Sequence, residues 1–170
     1  MRHPTRSVLL AFLAIPSACG GGASAPAAAA SRAALPAGLA LAAEPAGARP
    51  VKEVVRDAKS GEDVVLSGRV GIEGSDRAYF TLVDPSLKAC SETPLEDPCK
   101  TPWDFCCSPP DELAKLSALV QFREGDALYP GSVLGFDGLD HLKTVVVKGK
   151  ADKDASGNLT VVASGIYVRK

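Results

Sequence analysis

The sequence predicts a mainly β domain, a small five-stranded Greek-key barrel over residues 51–170. First, short runs that alternate apolar and polar residues, typical of half-buried strands, recur between residues 64 and 168. Second, these runs are ordered as a short helix, three strands, a connecting segment and two strands. Third, about 120 residues of mixed composition remain after an Ala-, Pro- and Gly-rich leader, which is enough for one modest hydrophobic core.

The N-terminal residues are ordered as an export signal. A positive start precedes an apolar run at residues 8–15, and small residues follow up to Cys19. The apolar run is too short to span a bilayer, which takes about 20 residues. Small residues before Cys19 resemble the bacterial lipobox, whose cysteine becomes the lipidated first residue of the mature protein. We therefore expect a signal peptide at residues 1–19, with ordinary cleavage near Ala25 as the alternative.

Residues 20–50 are predicted to be a disordered tether. They are mostly Ala, Pro, Gly and Ser, with three charged side chains. A lipid-anchored domain needs such a spacer to stand off the membrane. We therefore expect a bacterial lipoprotein of the periplasm or outer cell envelope, with the membrane as a partner through its N-terminal lipid.

The domain is predicted to open with a short helix and two strands. Val51 to Lys59 has apolar residues at helical spacing. The first strand covers residues 64–72, and Gly68 within it predicts a bulge or a sharp bend. The second strand covers Ala78 to Val83.

Three more strands are predicted after a long irregular stretch. They cover Leu116 to Arg123, Thr144 to Ala151 and Leu159 to Val168. The turn-rich residues 154–158 make the last two strands a hairpin. Residues 128–142 contain one proline and three glycines, so the helical crossover expected there is short.

Five strands with a crossover between the third and fourth are the order of the OB-fold. The runs VVLSGRV, YFTLVD, VVVKGKA and LTVVASGI resemble the strands of that fold. Residues 50–54 resemble the short helix that opens the periplasmic bacterial OB-fold family. The resemblance covers residues 50–168 apart from an insert and implies an OB-like barrel. An open β-sandwich or another small barrel is the nearest alternative.

Residues 84–112 form a cysteine-rich insert in this barrel. A loop this long inside a compact domain needs something to hold it. Burial of Trp103 and Phe105 is one means, and disulfides, which form in an oxidising compartment, are another. The insert carries six prolines, the only tryptophan of the chain, and Cys90, Cys99, Cys106 and Cys107.

These four cysteines allow three disulfide pairings. A bond between the adjacent Cys106 and Cys107 closes a small strained ring and is least favoured, so Cys90 and Cys99 each pair with one of them, in either order. Four thiolates can instead hold zinc or copper. No Cys-x-x-Cys spacing is present and adjacent cysteines rarely ligate one tetrahedral ion. Structural disulfides are therefore preferred, and no cofactor is expected.

The sequence predicts a binding module and no enzyme. His141 is the only histidine after the leader, and neither a nucleophile motif nor a Gly-rich phosphate loop is present. The expected ligand is a small molecule, a cation or another envelope protein. The candidate binding face consists of Arg69, Arg77, Tyr79, Phe122 and Trp103.

Two other functions compete with this prediction. OB-folds often bind nucleic acid through a basic, aromatic strand face. Residues 51–170 hold 15 Lys and Arg against 19 Asp and Glu, a net charge of −4 with histidine neutral, so nucleic acid is disfavoured as a partner. The second alternative is an envelope metal-binding or thiol-redox protein that uses the insert cysteines.

Overall fold

The computed structural model describes residues 35–71, 77–93 and 99–170. The predicted signal peptide, lipidation at Cys19 and the alternative cleavage near Ala25 lie outside the described residues. Among the described residues, no helix has the length and apolar character required to cross a membrane.

Within this described part, strands dominate and two short α-helices accompany them. Single 3₁₀ turns cover Ala37–Leu39, Cys90–Glu92 and Phe136–Gly138. The other elements are β1 (Arg49–Pro50), α1 (Val51–Asp57), β2 (Asp63–Gly71), β3 (Tyr79–Val83), α2 (Pro110–Leu116), β4 (Ser117–Gln121), β5 (Arg123–Glu124), β6 (Ala127–Leu128), β7 (Thr144–Lys153) and β8 (Leu159–Val168).

Five of these strands close into a barrel. Their order is β2, β3, β4, β8 and β7, and β7 pairs back onto β2. Strands β4 and β8 run parallel, whereas the other neighbours in the barrel are antiparallel. The result is a mainly β, closed, OB-like barrel, which confirms the predicted fold class.

Alternate residues of the barrel strands fill its interior, as the period-two pattern predicts. Each apolar side chain that is fully buried contributes about 1.5–3 kcal/mol relative to an exposed one. The largest core side chains are Leu66, Phe80, Leu82, Phe122, Leu139 and Ile166, all at most 1% exposed.

The predicted third strand is shorter than expected, because Leu116 ends the helix α2 instead of beginning the strand. This helix was not predicted from the sequence. Its signals are nevertheless present: Pro110 at the first helical position, acidic residues in the first turn and Lys115 in the last turn. Two successive prolines made the segment resemble a loop.

Gly68 allows a close approach of chains, and of the two features predicted there, a bulge or a sharp bend, the bulge is absent. The pairing of β2 with β7 keeps one register through this position. A Cβ atom at Gly68 would lie 2.6 Å from the carbonyl oxygen of Val83 and 2.8 Å from Cγ2 of Val51. Glycine is therefore required so that α1 and β3 can both contact β2. The register of the β7–β8 pair does shift, between Lys148 and Gly149, and the extra residue there is Ser164 of β8.

Residues 35–50 fold against the barrel, so the boundary predicted at residue 51 lies too late. Leu35 is buried in the main core. The N–H of Leu41 donates to the carbonyl of Ile166 at 2.8 Å. A Cβ atom at Gly165 would lie 2.8 Å from Cδ2 of Leu41, so this glycine makes room for the segment. A few apolar contacts outweigh a composition that is typical of a tether.

The crossover between β4 and β7 differs from the helical segment expected there. It contains the β5–β6 ladder and one 3₁₀ turn. Pro130 and three glycines disfavour an α-helix in this stretch. Val133 and Leu139 still reach the main core, so the crossover covers the barrel interior without a helix.

Candidate functional site

The insert has a small hydrophobic core of its own on the outside of the barrel. Its buried members are Val83, Leu87, Ala89 and Phe105. Leu113 and Leu116 of α2 and Leu142 of the crossover pack against them. The described part of the insert, which excludes residues 94–98, is therefore attached to the barrel by non-covalent contacts.

Phe105 docks the insert onto β2. Its side chain is 4% exposed, and a Cβ atom at Gly71 would lie only 3.3 Å from its ring carbons. The guanidinium of Arg69 lies over the ring of Phe105, 5.8 Å from the ring centroid. This distance is within the range of a cation–π contact. Phe105 is thus held between a glycine of the barrel and a cation of the same strand.

Arg69 also binds the first half of the insert. Its two terminal nitrogens donate to the carboxylate of Glu92 at 2.8 and 2.9 Å, a bidentate ion pair. Glu92 additionally accepts the N–H of Ala89 at 2.8 Å. The hydrogen bond from Arg69, followed by that from Ala89, lowers the pKa of Glu92. These contacts fix the 3₁₀ turn that carries Cys90.

Asp84 anchors the start of the insert and is 1% exposed. Its carboxylate accepts the backbone N–H of Lys52 at 3.0 Å, and the N–H and hydroxyl of Ser86 at 3.0 and 2.7 Å. Burial raises the pKa of Asp84, but the hydrogen bonds from Ser86 and Lys52 outweigh it, so the pKa is lowered overall. This role of Asp84 was not predicted from the sequence. The Asp-Pro-Ser turn, in which an aspartate binds the backbone two residues on, was the available signal.

Two backbone hydrogen bonds join the halves of the insert. The N–H of Cys90 donates to the carbonyl of Asp104, and the N–H of Ser91 to that of Pro102, both at 2.8 Å. They place the 3₁₀ turn beside the stretch that ends in the adjacent cysteines.

The four insert cysteines converge in one place, which we call the sulfur cluster: Cys90, Cys99, Cys106 and Cys107. The Sγ of Cys90 lies 2.9 Å from that of Cys107 and 3.4 Å from that of Cys106. The Sγ of Cys99 lies 4.0 Å from that of Cys106. All four are free thiols in the structure, so it contains none of the predicted disulfides. The adjacent Cys106 and Cys107 both approach Cys90.

The thiols of the sulfur cluster differ in exposure and acidity. Cys90 is 2% exposed, whereas Cys106 and Cys107 reach the surface. Hydrogen bonding by the backbone and then the hydroxyl of Thr101 lowers the pKa of Cys99. The neighbouring Cys90 and, next, burial raise the pKa of Cys106 and of Cys107. Cys99 thus loses its proton more readily than Cys106 or Cys107.

A cavity of about 190 Å³ lies between the insert and the barrel. Thr81 and Val83 of β3 line it on the barrel side, and Phe105 and Cys106 line it on the insert side. One thiol of the sulfur cluster therefore faces a partly apolar space.

The residues of the predicted binding face are placed differently from expectation. Phe122 is buried in the main core, 6.3 Å from Phe80 between ring centroids, and cannot contact a ligand. Arg69 is occupied by Glu92. Trp103 remains 36% exposed and stacks on His141, with ring centroids 4.8 Å apart, so it is not the buried anchor that the sequence suggested.

The other two residues of that face stay accessible. Arg77 is exposed and Tyr79 is half-buried at the start of β3. Arg77, Tyr79 and Trp103 are therefore the accessible part of the predicted face, whereas Phe122 and Arg69 are engaged within the protein.

No protein-family model matches the chain, and no curated protein matches it. One similar solved structure is described as "OBody AM1L10 bound to hen egg-white lysozyme", at 15% identity and a TM-score of 0.35, with 72% of this chain and 94% of that chain covered. The fold assignment therefore depends on the strand order and register given above.

Proposed function

We propose that the chain is an exported, lipid-anchored binding module of the cell envelope that acts without catalysis, and that its binding site is the sulfur cluster. The convergence of four thiols on the outside of the barrel carries this proposal. The leader sequence, with its apolar run and Cys19, supports export and anchoring.

The state of the rest of the surface supports the same site. Phe122 and Arg69 are engaged within the protein, and the domain is acidic. The sulfur cluster, by contrast, combines a buried thiol with two exposed ones beside a cavity. Soft sulfur ligands beside a partly apolar cavity are properties of a binding site.

Fractionation of bacteria that express the full chain tests export and anchoring. We expect the wild type in the membrane fraction, with a mass that includes lipid, and the Cys19→Ala variant in the soluble fraction. A wild-type chain that stays in the cytosol, or that is cleaved near Ala25 without lipid, contradicts the anchoring.

The sulfur cluster itself is tested by a free-thiol count on protein purified from the envelope. We expect the four insert thiols to be free or to be released from a ligand by acid. Two stable disulfides would mean that the insert is covalently closed, and would contradict a binding site at the sulfur cluster.

A thiol-redox role is the second candidate function. Cys99, whose pKa is lowered, lies 4.0 Å from the thiol of Cys106, which in turn neighbours Cys90. A thiol with a lowered pKa next to further thiols favours exchange with an incoming disulfide. Incubation with glutathione disulfide should then oxidise the protein faster than its Cys99→Ser variant.

A further inference from the structure

We propose that the sulfur cluster holds one soft, thiophilic cation of the zinc class, with Cys90, Cys106 and Cys107 as ligands and Cys99 as the fourth. This inference depends on the proposed function, because it names the ligand of the same site. Three of these sulfur atoms lie within 4.8 Å of one another.

The spacing of the sulfur atoms favours a shared ion. Zinc–thiolate bonds of about 2.3 Å in a tetrahedron place the sulfurs about 3.8 Å apart. The two distances from Cys90, 2.9 Å to Cys107 and 3.4 Å to Cys106, are shorter than that value, and the distance of 4.0 Å between Cys99 and Cys106 is slightly longer. A disulfide joins two sulfurs, whereas here Cys90 and Cys106 each have two sulfur neighbours. Small side-chain rotations would therefore complete a thiolate site.

The barrel holds the ligands in place before any ion arrives. The backbone N–H of Cys90 donates a hydrogen bond to the carbonyl of Asp104. The 3₁₀ turn that begins at Cys90 is held by the ion pair between its Glu92 and Arg69 of β2. Cys106 and Cys107 directly follow Phe105, the residue that docks the insert. Metal ligands need such outer partners for orientation.

The charge around the site suits a cation. Arg69 is neutralised by Glu92, and the acidic Asp104 lies two positions before Cys106 in the chain. A bound cation stabilises thiolates directly. Binding then releases the thiol protons, so the affinity should fall as the pH is lowered.

Cys99 is positioned to close the site. Its Sγ lies 3.6 Å from the carbonyl and from the hydroxyl oxygen of Thr101, and 4.0 Å from the Sγ of Cys106. A weak contact with Thr101 can be exchanged for a bond to the ion. The structure thus assigns three ligands that already lie together and a fourth at the rim.

The test uses the full chain with Cys19→Ser, which leaves the insert cysteines as its only thiols. Reduced protein is titrated with Zn²⁺ against a chromogenic chelator, and with Cd²⁺ to detect thiolate-to-metal absorption. We expect one ion per chain and proton release on binding. Replacing Cys90 by Ser should weaken binding more than the 10–100-fold that is typical of an outer partner, about 100-fold or beyond. Cys99→Ser should cost less and keep the thiolate absorption.

A matched control and a folding check accompany these variants. Ser108→Ala, directly after the adjacent Cys106 and Cys107, should leave the affinity for Zn²⁺ unchanged. Far-UV circular dichroism of the metal-free variants should show an intact barrel, since the cysteine side chains are outside the main core.

Each remaining outcome is informative. Four free thiols without measurable Zn²⁺ affinity overturn the metal site and leave the proposed binding module standing. Zn²⁺ binding that survives Cys90→Ser also overturns it. Two disulfides that resist mild reduction contradict both proposals. Cytosolic location contradicts only the export and anchoring.

Discussion

Replacing Phe105 by Ala should release the insert from the barrel. Truncation of a buried phenylalanine typically costs about 3–5 kcal/mol. Phe105 is 4% exposed and also loses its contact with Arg69, which is worth about 0.5–1 kcal/mol at a partly exposed site. The neighbouring cavity of about 190 Å³ means that fewer atoms surround the ring than in a close-packed core. We therefore expect the lower end, about 3 kcal/mol.

Guanidinium unfolding of the reduced, metal-free Cys19→Ser protein measures this loss. Trp103, the only tryptophan, reports on the insert by fluorescence, and far-UV circular dichroism reports on the strands. The variant should also expose Cys90 to a thiol reagent, because Phe105 no longer holds the neighbouring segment. Labelling of Cys90 under native conditions should be at least 10-fold faster than in the wild type.

Phe136→Ala is the matched control, since this half-buried ring packs on Phe122 of the main core, 6.5 Å away between ring centroids. This variant should destabilise the barrel. Its Cys90 should be labelled under native conditions no faster than the lower global stability alone explains. If Phe105→Ala changes the unfolding free energy by less than about 0.5 kcal/mol, the range of ordinary surface substitutions, and Cys90 stays protected, the docking role of Phe105 is wrong.

Three further predictions concern Gly68 in the barrel, the buried Asp84 at the start of the insert, and the thiols of the sulfur cluster. Gly68→Ala should cost at least the 1–3 kcal/mol of ordinary overpacking, because its Cβ meets a backbone carbonyl at 2.6 Å; a thermal unfolding midpoint equal to the wild type would contradict this. Asp84→Asn should destabilise the protein at pH 7. The pKa of Asp84 is lowered on folding, so its carboxylate stabilises the folded protein at pH values above the pKa of the unfolded chain, about 3.9. This contribution is lost as the pH falls through the pKa of the folded protein. The difference in unfolding free energy between wild type and variant should therefore narrow below about pH 4, and a constant difference down to pH 2 would refute the assignment. Iodoacetamide at neutral pH should modify Cys99 before the more exposed Cys106 and Cys107, because its pKa is lowered and theirs are raised; peptide mass spectrometry would show any other order.

Local sequence patterns were sufficient for the barrel strands. The alternation in β2, β3, β7 and β8 identified which side chains face the core, and the turn at residues 154–158 identified the last hairpin. Period-two burial is a local property, so it is visible without knowledge of the partner strand.

The sequence pattern failed where long-range contacts decide the structure. Residues 35–50 have the composition of a tether, yet Leu35 and Leu41 find places on the barrel. The same holds for the site. The cysteines were identified, but their convergence depends on two long-range contacts. One is the backbone hydrogen bond from Cys90 to Asp104, and the other is the ion pair between Arg69 and Glu92, which are 23 residues apart. Nothing in the local spacing of the cysteines encodes these contacts.

The central claim is that non-covalent docking of the insert on the barrel gathers the thiols. Amide hydrogen exchange at Cys90 and Ser91, in the reduced and metal-free protein, tests it most directly. Both amides are bonded across the insert to Asp104 and Pro102, so we predict protection close to that of the amides in β7 and β8. Exchange at the rate of an unstructured peptide, while β7 and β8 stay protected, would show that the insert is not docked and that the sulfur cluster does not form by itself.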